Sequence, residues 1–514
     1  MDRDPRAASL LRALVFFLSV VSAAVLVVDA EIVARPVRAS GASVARGPEV
    51  VASIDPLDPH RLVGIGASGA WWSVPAYELG PRDRRRIGQL LYGRHGLELS
   101  QFRFNIGGGG VGVSTWWKAP QSFYLGNGRF DFALDRDAVW FLRQAARLGV
   151  RDLVGFVNSA PPEFTSNHRS CGGVLRGGDV AAYALELAET VRGIATHLGV
   201  RLAYVSPMNE PSGSQPACRQ EGMAVPVALR GPLVVDLARD LRRLAPWCRV
   251  IADEASFVSH FLRTAPRWLS YPGARAAVAA LAVHGYDYPT KPTLARLHAF
   301  ALALHHQVWA TEICCHTQVG FAYRYDPTMT SGMWLANTIY NDLMIAGASA
   351  FDWWIALSPD LGCNPVANPG CPYQVNPLGR NDGLIYFDLH GASDGDRNLY
   401  LTKRYFVLGN FSRYLRPGAL LYQVRTSDPR VEVIAAVRGS TEVIVAIDRT
   451  PAGAPLTPLL VELPAGSPPL APIAAVETSP TRSLAPVALP TVAGRAIAML
   501  SPPESVTTYV FRRR

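Results

Sequence analysis

The sequence predicts an α/β fold: a (β/α)8 TIM barrel with a C-terminal side β-sandwich domain. Three observations carry that reading. Short apolar runs alternate with long amphipathic stretches from about residue 60 to residue 355. Leu148-Gly149-Val150-Arg151 and Leu198-Gly199-Val200-Arg201 repeat one punctuation of helix end, capping glycine and next strand. Beyond about Pro417 the helical period vanishes, and short β-like runs between dense prolines replace it.

Taken in order, Met1–Arg12 holds Arg3, Arg6 and Arg12, and Ala13–Val28 follows as an apolar run broken only by Ser19 and Ser22. That run is short for a bilayer span but suits the core of a signal peptide, with Val28-Asp29-Ala30 as a cleavage site. Residues 1–30 are therefore expected to direct secretion, and the alternative is a membrane anchor through residues 13–28. Residues 31–55 read as a linker, with Val50–Ile54 as a possible first strand of the β domain.

Residues 56–416 form the expected barrel. Its strand candidates are Leu62–Ile65, Gln101–Ile106, Asp152–Val157, Leu202–Val205, Arg249–Ala252, Ala282–Gly285, Gln307–Ala310 and Ala348–Trp353. Most are rich in Val, Ile or Phe and alternate little, as parallel strands buried on both faces do. Helix candidates between them include Asp137–Leu148, Asp179–Leu198, Leu233–Leu244 and Leu294–His305. A doubly wound sheet would want a glycine turn opening a helix. Gly64-Ile65-Gly66-Ala67-Ser68-Gly69 has that spacing, but no convincing helix follows. Residues 417–514 read as the β-sandwich, with runs at Val431–Val437, Glu442–Ile447, Leu459–Leu463 and Val506–Phe511.

Composition excludes wholesale disorder, because 49% of the 514 residues are apolar and 18% charged. The net charge of +9 comes from arginines scattered along the chain, not from a basic cluster, so no nucleic-acid partner is expected. Of the seven cysteines, Cys363 and Cys371 bracket a Pro/Gly-rich loop and could close it; Cys171 and Cys218 could form a second bridge. No metal-ligand spacing accompanies them, and neither metal nor cofactor is expected. The glycines Gly107–Gly110 lack the GK[ST] continuation of a phosphate loop, and no nucleophile elbow is placed for a serine hydrolase.

Barrel enzymes place their chemistry at the C-terminal ends of the strands. Glu210 follows the fourth run in Ser206-Pro207-Met208-Asn209-Glu210-Pro211, and Glu312 follows the seventh in Thr311-Glu312-Ile313. A carboxylate pair suits glycosidic cleavage, one group protonating the leaving oxygen while the other attacks or activates water. Trp71, Trp72, Trp353 and Trp354 end the first and eighth strands, where indole planes can stack on sugar rings. His284 and Tyr286 end the sixth strand and could hold a carboxylate or a hydroxyl. Asp253 and Glu254 read as rim or supporting charges.

GIGASGAWW (Gly64–Trp72), RFNIGGGG (Arg103–Gly110), SAPPEF (Ser159–Phe164), SPMNEP (Ser206–Pro211), ATEI (Ala310–Ile313) and LTKRYFVLGNFSRYLRPG (Leu401–Gly418) together resemble glycoside hydrolase family 30. The resemblance runs over roughly residues 55–510 and is closest to the endo-β-1,6-galactanase-like branch. It implies a retaining enzyme with Glu210 as acid/base and Glu312 as nucleophile. It also implies that Asn209 contacts the sugar 2-hydroxyl, that Arg103 and Tyr286 support the nucleophile, and that Asn105 belongs to the substrate site. The expected partner is a carbohydrate, the expected state a monomer, and the first expected substrate β-1,6-galactan. β-1,6-Glucan, xylan, a glucosyl-lipid or mere carbohydrate binding on a dead scaffold are the alternatives. Retention further requires the two carboxyl groups to lie about 5–5.5 Å apart, with Glu210 protonated and Glu312 ionised.

Overall fold

Eight parallel strands close on themselves in chain order: Gly64–Ser68, Gln101–Asn105, Asp152–Phe156, Tyr204–Ser206, Arg249–Ala255, Val278–His284, Gln307–Ile313 and Ala348–Trp353. The last pairs back onto the first, Ala350 against Gly64 and Trp353 against Ala67. The computed structural model describes residues 46–315 and 324–514, so the signal-peptide and anchor readings of residues 1–30 lie outside the described residues.

Every expected strand is present, but the fifth runs on to Ala255 and the seventh to Ile313. Asp253, Glu254 and Glu312 thus lie inside the barrel wall instead of in the loops beyond it. The ladder can continue because these carboxylates meet buried cations there, which removes the cost of a lone charge. Below them the barrel is sealed by Val154, Tyr204, Ile251, Ala280, Ala282, Trp309 and Ala350, a buried apolar cluster contributed by six strands. Tyr204 and Trp309 meet edge to face at 4.6 Å.

The helices Arg136–Arg147, Val180–Leu198, Val227–Leu244 and Lys291–Ala303 cover the outside. Gly199 stops the second of these in the left-handed conformation, φ 70°, which only glycine adopts without a Cβ clash. The third begins six residues before the expected Leu233 and carries Pro232 inside it. Pro232 lies in the second turn, so the helix forgoes the one bond that an N–H there would have made to the Ala228 carbonyl. A small sheet of Ile355–Ser358, Gly383–Tyr386 and Tyr400–Leu401 follows the eighth strand and was not anticipated.

The remaining chain forms two facing sheets. One is five-stranded, and in it Val50–Ile54 lies between Val424–Thr426 and Thr457–Glu462. The other has seven strands, with His60–Arg61 at one edge and Val431–Arg438, Thr441–Asp448 and Ser505–Arg513 at its centre. Val433, Ile444 and Phe511 of that sheet pack against the five-stranded sheet, while Ile434, Val445 and Val510 join the main core cluster of the barrel and its helices. Both faces are therefore dry, which is why VEVIAAVR and TEVIVAID show no polar alternation. Among the described residues no helix is long and apolar enough to cross a membrane.

Candidate active site

The C-terminal mouth of the barrel opens into a cavity of about 560 Å³ lined by Trp71, Lys118, Asn158, Asn209, Glu210, Tyr286, Glu312, Cys314, Cys315, Trp354 and Arg380, among others. A larger cleft, about 1000 Å³, lies between the helices Arg136–Arg147 and Val180–Leu198 and holds none of these strand-end groups.

Glu312 is nearly buried, and every contact it makes comes from another strand. Arg103 of the second strand donates Nη1 to its Oε2 at 2.5 Å, and the Tyr286 hydroxyl donates to its Oε1 at 2.9 Å. Arg103 is itself fully buried, stacked 3.7 Å from the Phe156 ring centroid, and its Nη2 donates to Asn209 Oδ1 at 2.6 Å. One guanidinium thus orients both the seventh-strand carboxylate and the amide beside Glu210. Glu210 sits in the left-handed backbone region, φ 47°, and its N–H donates to the Glu254 carbonyl at 2.9 Å. Such a conformation costs a non-glycine residue about 1–3 kcal/mol and is held here by the turn around it.

One oxygen each of Glu210 and Glu312 and a ring nitrogen of His284 lie within 4.8 Å of one another. His284 Nδ1 is 3.5 Å from Glu210 Oε1 and 3.7 Å from Glu312 Oε1. Its Nε2 faces Glu254 Oε2 at 3.0 Å, and Thr311 donates to that same oxygen. Arg103 is 3.5 Å from it. Such a trio could surround a small cation, but Arg103 and the His284 imidazolium already supply positive charge there.

The charges settle differently from the expectation. Burial works against the His284 imidazolium, yet the Glu312 charge and the contacts to Glu210 and Glu254 raise its pKa to about 9. Burial likewise opposes ionised Glu254, but Arg103 and His284 hold it down at about 2. Glu312 was expected to be held ionised by Arg103 and Tyr286, and both donate to it; Glu210 was expected to be raised. Instead, desolvation of Glu210 is outweighed by the His284 hydrogen bond and charge, so its pKa is lowered. Glu312 is raised, because its deeper burial, with the Glu210 charge added, exceeds the pull of His284 and Arg103. Burial acts on both; they part because His284 and Ser256 hydrogen-bond Glu210, whereas the Glu210 charge adds to burial at Glu312.

Of the tryptophans, Trp71 and Trp354 line the cavity and meet edge to face at 4.8 Å. Trp72 and Trp353 do not. Trp72 is fully buried, donates to the Ser68 carbonyl and packs on Phe141; Trp353 is fully buried and donates to the Asp382 carbonyl. Trp71 turns to the mouth in the left-handed backbone region, φ 68°, while Trp72 caps the next helix; Trp353 ends its strand and Trp354 follows it. Asn105 stands one step back, accepting from Asn158 Nδ2 at 2.6 Å, and Asn158 is the cavity residue. Asp253 and Glu254 are buried rather than on the rim; Asp253 pairs with Arg230 at 2.7 Å.

Several cavity residues were not singled out from the sequence, Lys118 among them; Cys314 and Cys315 stood out there only as a consecutive pair after Glu312. Lys118 sits 4.1 Å over the Trp71 ring, with burial lowering its pKa against the pull of Asp360 and Asp382. Cys314 and Cys315 are bonded to each other, while the expected bridges Cys171–Cys218 and Cys363–Cys371 are both present. Cys248 remains a buried thiol. The N–H groups of Gly108 and Gly110 point at Glu221, so the glycine loop is filled by the protein's own carboxylate and cannot cradle a phosphate. A Gly-rich loop followed far downstream by one buried Glu offers no sequence signal for that pairing.

Comparison with known proteins agrees with the resemblance read from the sequence. The sequence model of O-Glycosyl hydrolase family 30 matches residues 91–265. The chain is 23% identical over 409 residues to the mouse (Mus musculus) lysosomal acid glucosylceramidase, covering 74% of this chain and 73% of that one. It is 26% identical over 182 residues to the exo-β-1,6-galactobiohydrolase of Bifidobacterium longum subsp. longum, covering 27% of this chain and 12% of that much longer protein. The catalytic domain of GH30 xylanase C from Talaromyces cellulolyticus superposes with a TM-score of 0.66 at 21% identity, covering 90% of this chain and 99% of that domain.

Proposed function

With a barrel of the family-30 glycoside hydrolase type as premise, we propose that this chain is an exported retaining β-glycosidase acting through Glu210 and Glu312. The observation that carries the reading is the 4.8 Å limit on the separation of their carboxylate oxygens at one barrel mouth. Retaining enzymes need about 5–5.5 Å between the two carboxyl groups, whereas inverting ones need about 6.5–9.5 Å to admit a water.

In the first step a Glu312 oxygen attacks the anomeric carbon while Glu210 gives its proton to the leaving oxygen. In the second, Glu210 takes a proton from water, which attacks the same carbon and frees Glu312. Arg103 and Tyr286 aim the nucleophile and spread its charge, and Asn209, held by Arg103, is placed to meet the sugar hydroxyl beside the reacting carbon. The acid proton has a source. His284 Nδ1 lies 3.5 Å from Glu210 Oε1, and a sugar covering the exposed quarter of Glu210 desolvates that carboxylate and raises its proton affinity.

Trp71 and Trp354 supply stacking planes for the sugar. The first substrate class is β-1,6-galactan, supported by the motif series and by the galactobiohydrolase relative. A glucosyl-lipid is the second reading, favoured by the length of the glucosylceramidase match. Product sizing on a panel of β-linked polysaccharides and glucosyl-lipid separates them.

Azide tests the roles. Glu312→Gly should lose turnover and, with azide, give a glycosyl azide of inverted configuration. Glu210→Ala should keep activity on substrates with good leaving groups and, with azide, give the retained anomer. The same anomer from both variants would overturn the assignment, provided each unfolds cooperatively like the parent.

A further inference from the structure

Beyond Glu312 the cavity wall is made by Cys314 and Cys315, neighbours in sequence joined by a disulfide. A disulfide ordinarily stabilises a fold by closing a loop of the unfolded chain. Cys171–Cys218 spans 47 residues and Cys363–Cys371 spans 8, but this bond spans 1 and closes no loop. Loop entropy therefore gives no reason for it.

Its effect is on the surface. The bond removes two S–H donors and leaves a small covalent ring that presents sulfur and carbon, soft and polarisable, to the cavity. Cys314 is 2% exposed and packs into the core, while Cys315 is the more open half. The Tyr286 hydroxyl reaches both Glu312 Oε1, at 2.9 Å, and Cys314 Sγ, at 4.0 Å. The ring thus stands one side chain away from the carboxylate that would attack the sugar. A pyranose positioned over Glu312 must expose some of its C–H groups to this wall, where a thiol or hydroxyl would stay hydrated and the disulfide does not.

We propose that the Cys314–Cys315 disulfide is an apolar plate that packs against a substrate sugar ring beside Glu312, and so determines which saccharides bind. This rests on the glycosidase reading above. The plate complements Trp71 and Trp354, and it makes sugar affinity sensitive to thiol reductants. A dithiol would reduce it by exchange, taking two electrons and two protons to the protein thiols and leaving its own sulfurs joined.

The test is saccharide binding by calorimetry with oligosaccharides cut from the polysaccharide panel. Cys314→Ser/Cys315→Ser and Cys314→Ala/Cys315→Ala proteins are compared with the parent, all in a Glu312→Gln background so that nothing is cleaved. Dissociation constants should rise about fivefold in both double variants, the equivalent of losing a small apolar contact, with melting temperature little changed. Equal affinities would overturn the proposal. If the double variants fail to fold, mild reduction of the parent, under conditions where peptide mapping shows Cys314–Cys315 opened and Cys171–Cys218 and Cys363–Cys371 intact, should weaken binding equally, and reoxidation should restore it; no change on reduction overturns the plate. Alkylation of the unreduced, unfolded chain should mark Cys248 alone, and marking at Cys314 or Cys315 also overturns it. Hydrolysis by the unmutated enzyme is followed separately. Binding without cleavage, with weakened double variants, sinks the hydrolase reading and keeps the plate. Cleavage with unweakened double variants does the reverse, and a parent that binds no saccharide sinks both.

Discussion

Glu254 lines no part of the cavity, yet it helps hold the charge on His284, which faces both cavity carboxylates. Its carboxylate faces Arg103 at 3.5 Å and His284 at 3.0 Å, and the burial of all three makes these contacts strong. Glu254→Gln would take one counter-charge from the imidazolium, so the His284 pKa should fall from about 9. The alkaline limb of kcat/KM should then move to lower pH by about one unit or more, because the free enzyme loses its stored proton sooner. An unmoved limb in a folded variant would show that His284 does not govern the acid. Glu210 and Glu312 were legible because each follows a strand and carries the group that the chemistry needs. Glu254 was legible only as a rim or supporting charge; its burial was not, because its neutralising partners arrive from the second and sixth strands and leave no local trace. The tandem tryptophans were half legible: the sequence places four at the mouth, but the backbone decides which turn inward, as Trp71 does with φ 68°.

At the level of elements, the bridge Cys171–Cys218 ties the loop after the fourth barrel strand to the short strand Cys171–Val174, which pairs with Gly222–Ala224. That loop brings Gln215 and Gln220 to the cavity. Cys171→Ser/Cys218→Ser should destabilise the chain by up to about 4 kcal/mol, the chain-entropy value for a loop of 47 residues, as read by denaturant titration. KM should rise as well, since the loop's anchor is gone. Glu221→Ala should cost about 2–3 kcal/mol by leaving the Gly108 and Gly110 N–H groups unpaired in a dry site. Barrel strands and the Gly149 and Gly199 stops were readable, because buried parallel strands and capping glycines each have one dominant sequence form. The sheet of Ile355–Ser358, Gly383–Tyr386 and Tyr400–Leu401 was not. Its strands are short and separated by Pro- and Gly-rich chain, so no period survives long enough to register.

For the whole molecule, buried acids set the response to pH. Burial pushes Glu186, Glu221 and Asp352 up to about 8 and Asp342 to about 7. Each then binds a proton in the folded state that the unfolded chain releases above about pH 4–4.5, so stability falls as pH rises through that window. His284 adds to the trend: its contribution is full below about pH 6.5 and is lost as pH rises through 9. His60, lowered to about 4, opposes it only on the acid side, where protonation must break its burial. Thermal unfolding should therefore occur several degrees higher near pH 6 than near pH 8, and the opposite order would mean that these acids are ionised in the fold. The strand Val50–Ile54 has a different consequence, one of timing. Ser53 hydrogen-bonds Glu462, 409 residues later, so this strand leaves the ribosome long before its partner exists. At about 5–20 residues per second the wait is roughly 20–80 s, during which an unpaired, apolar edge is open to the wrong neighbour. The barrel lies between two halves of a clasp that can shut fully only once Thr457–Glu462 has been made, so a chain cut short before Thr457 would leave a barrel with its fastening undone.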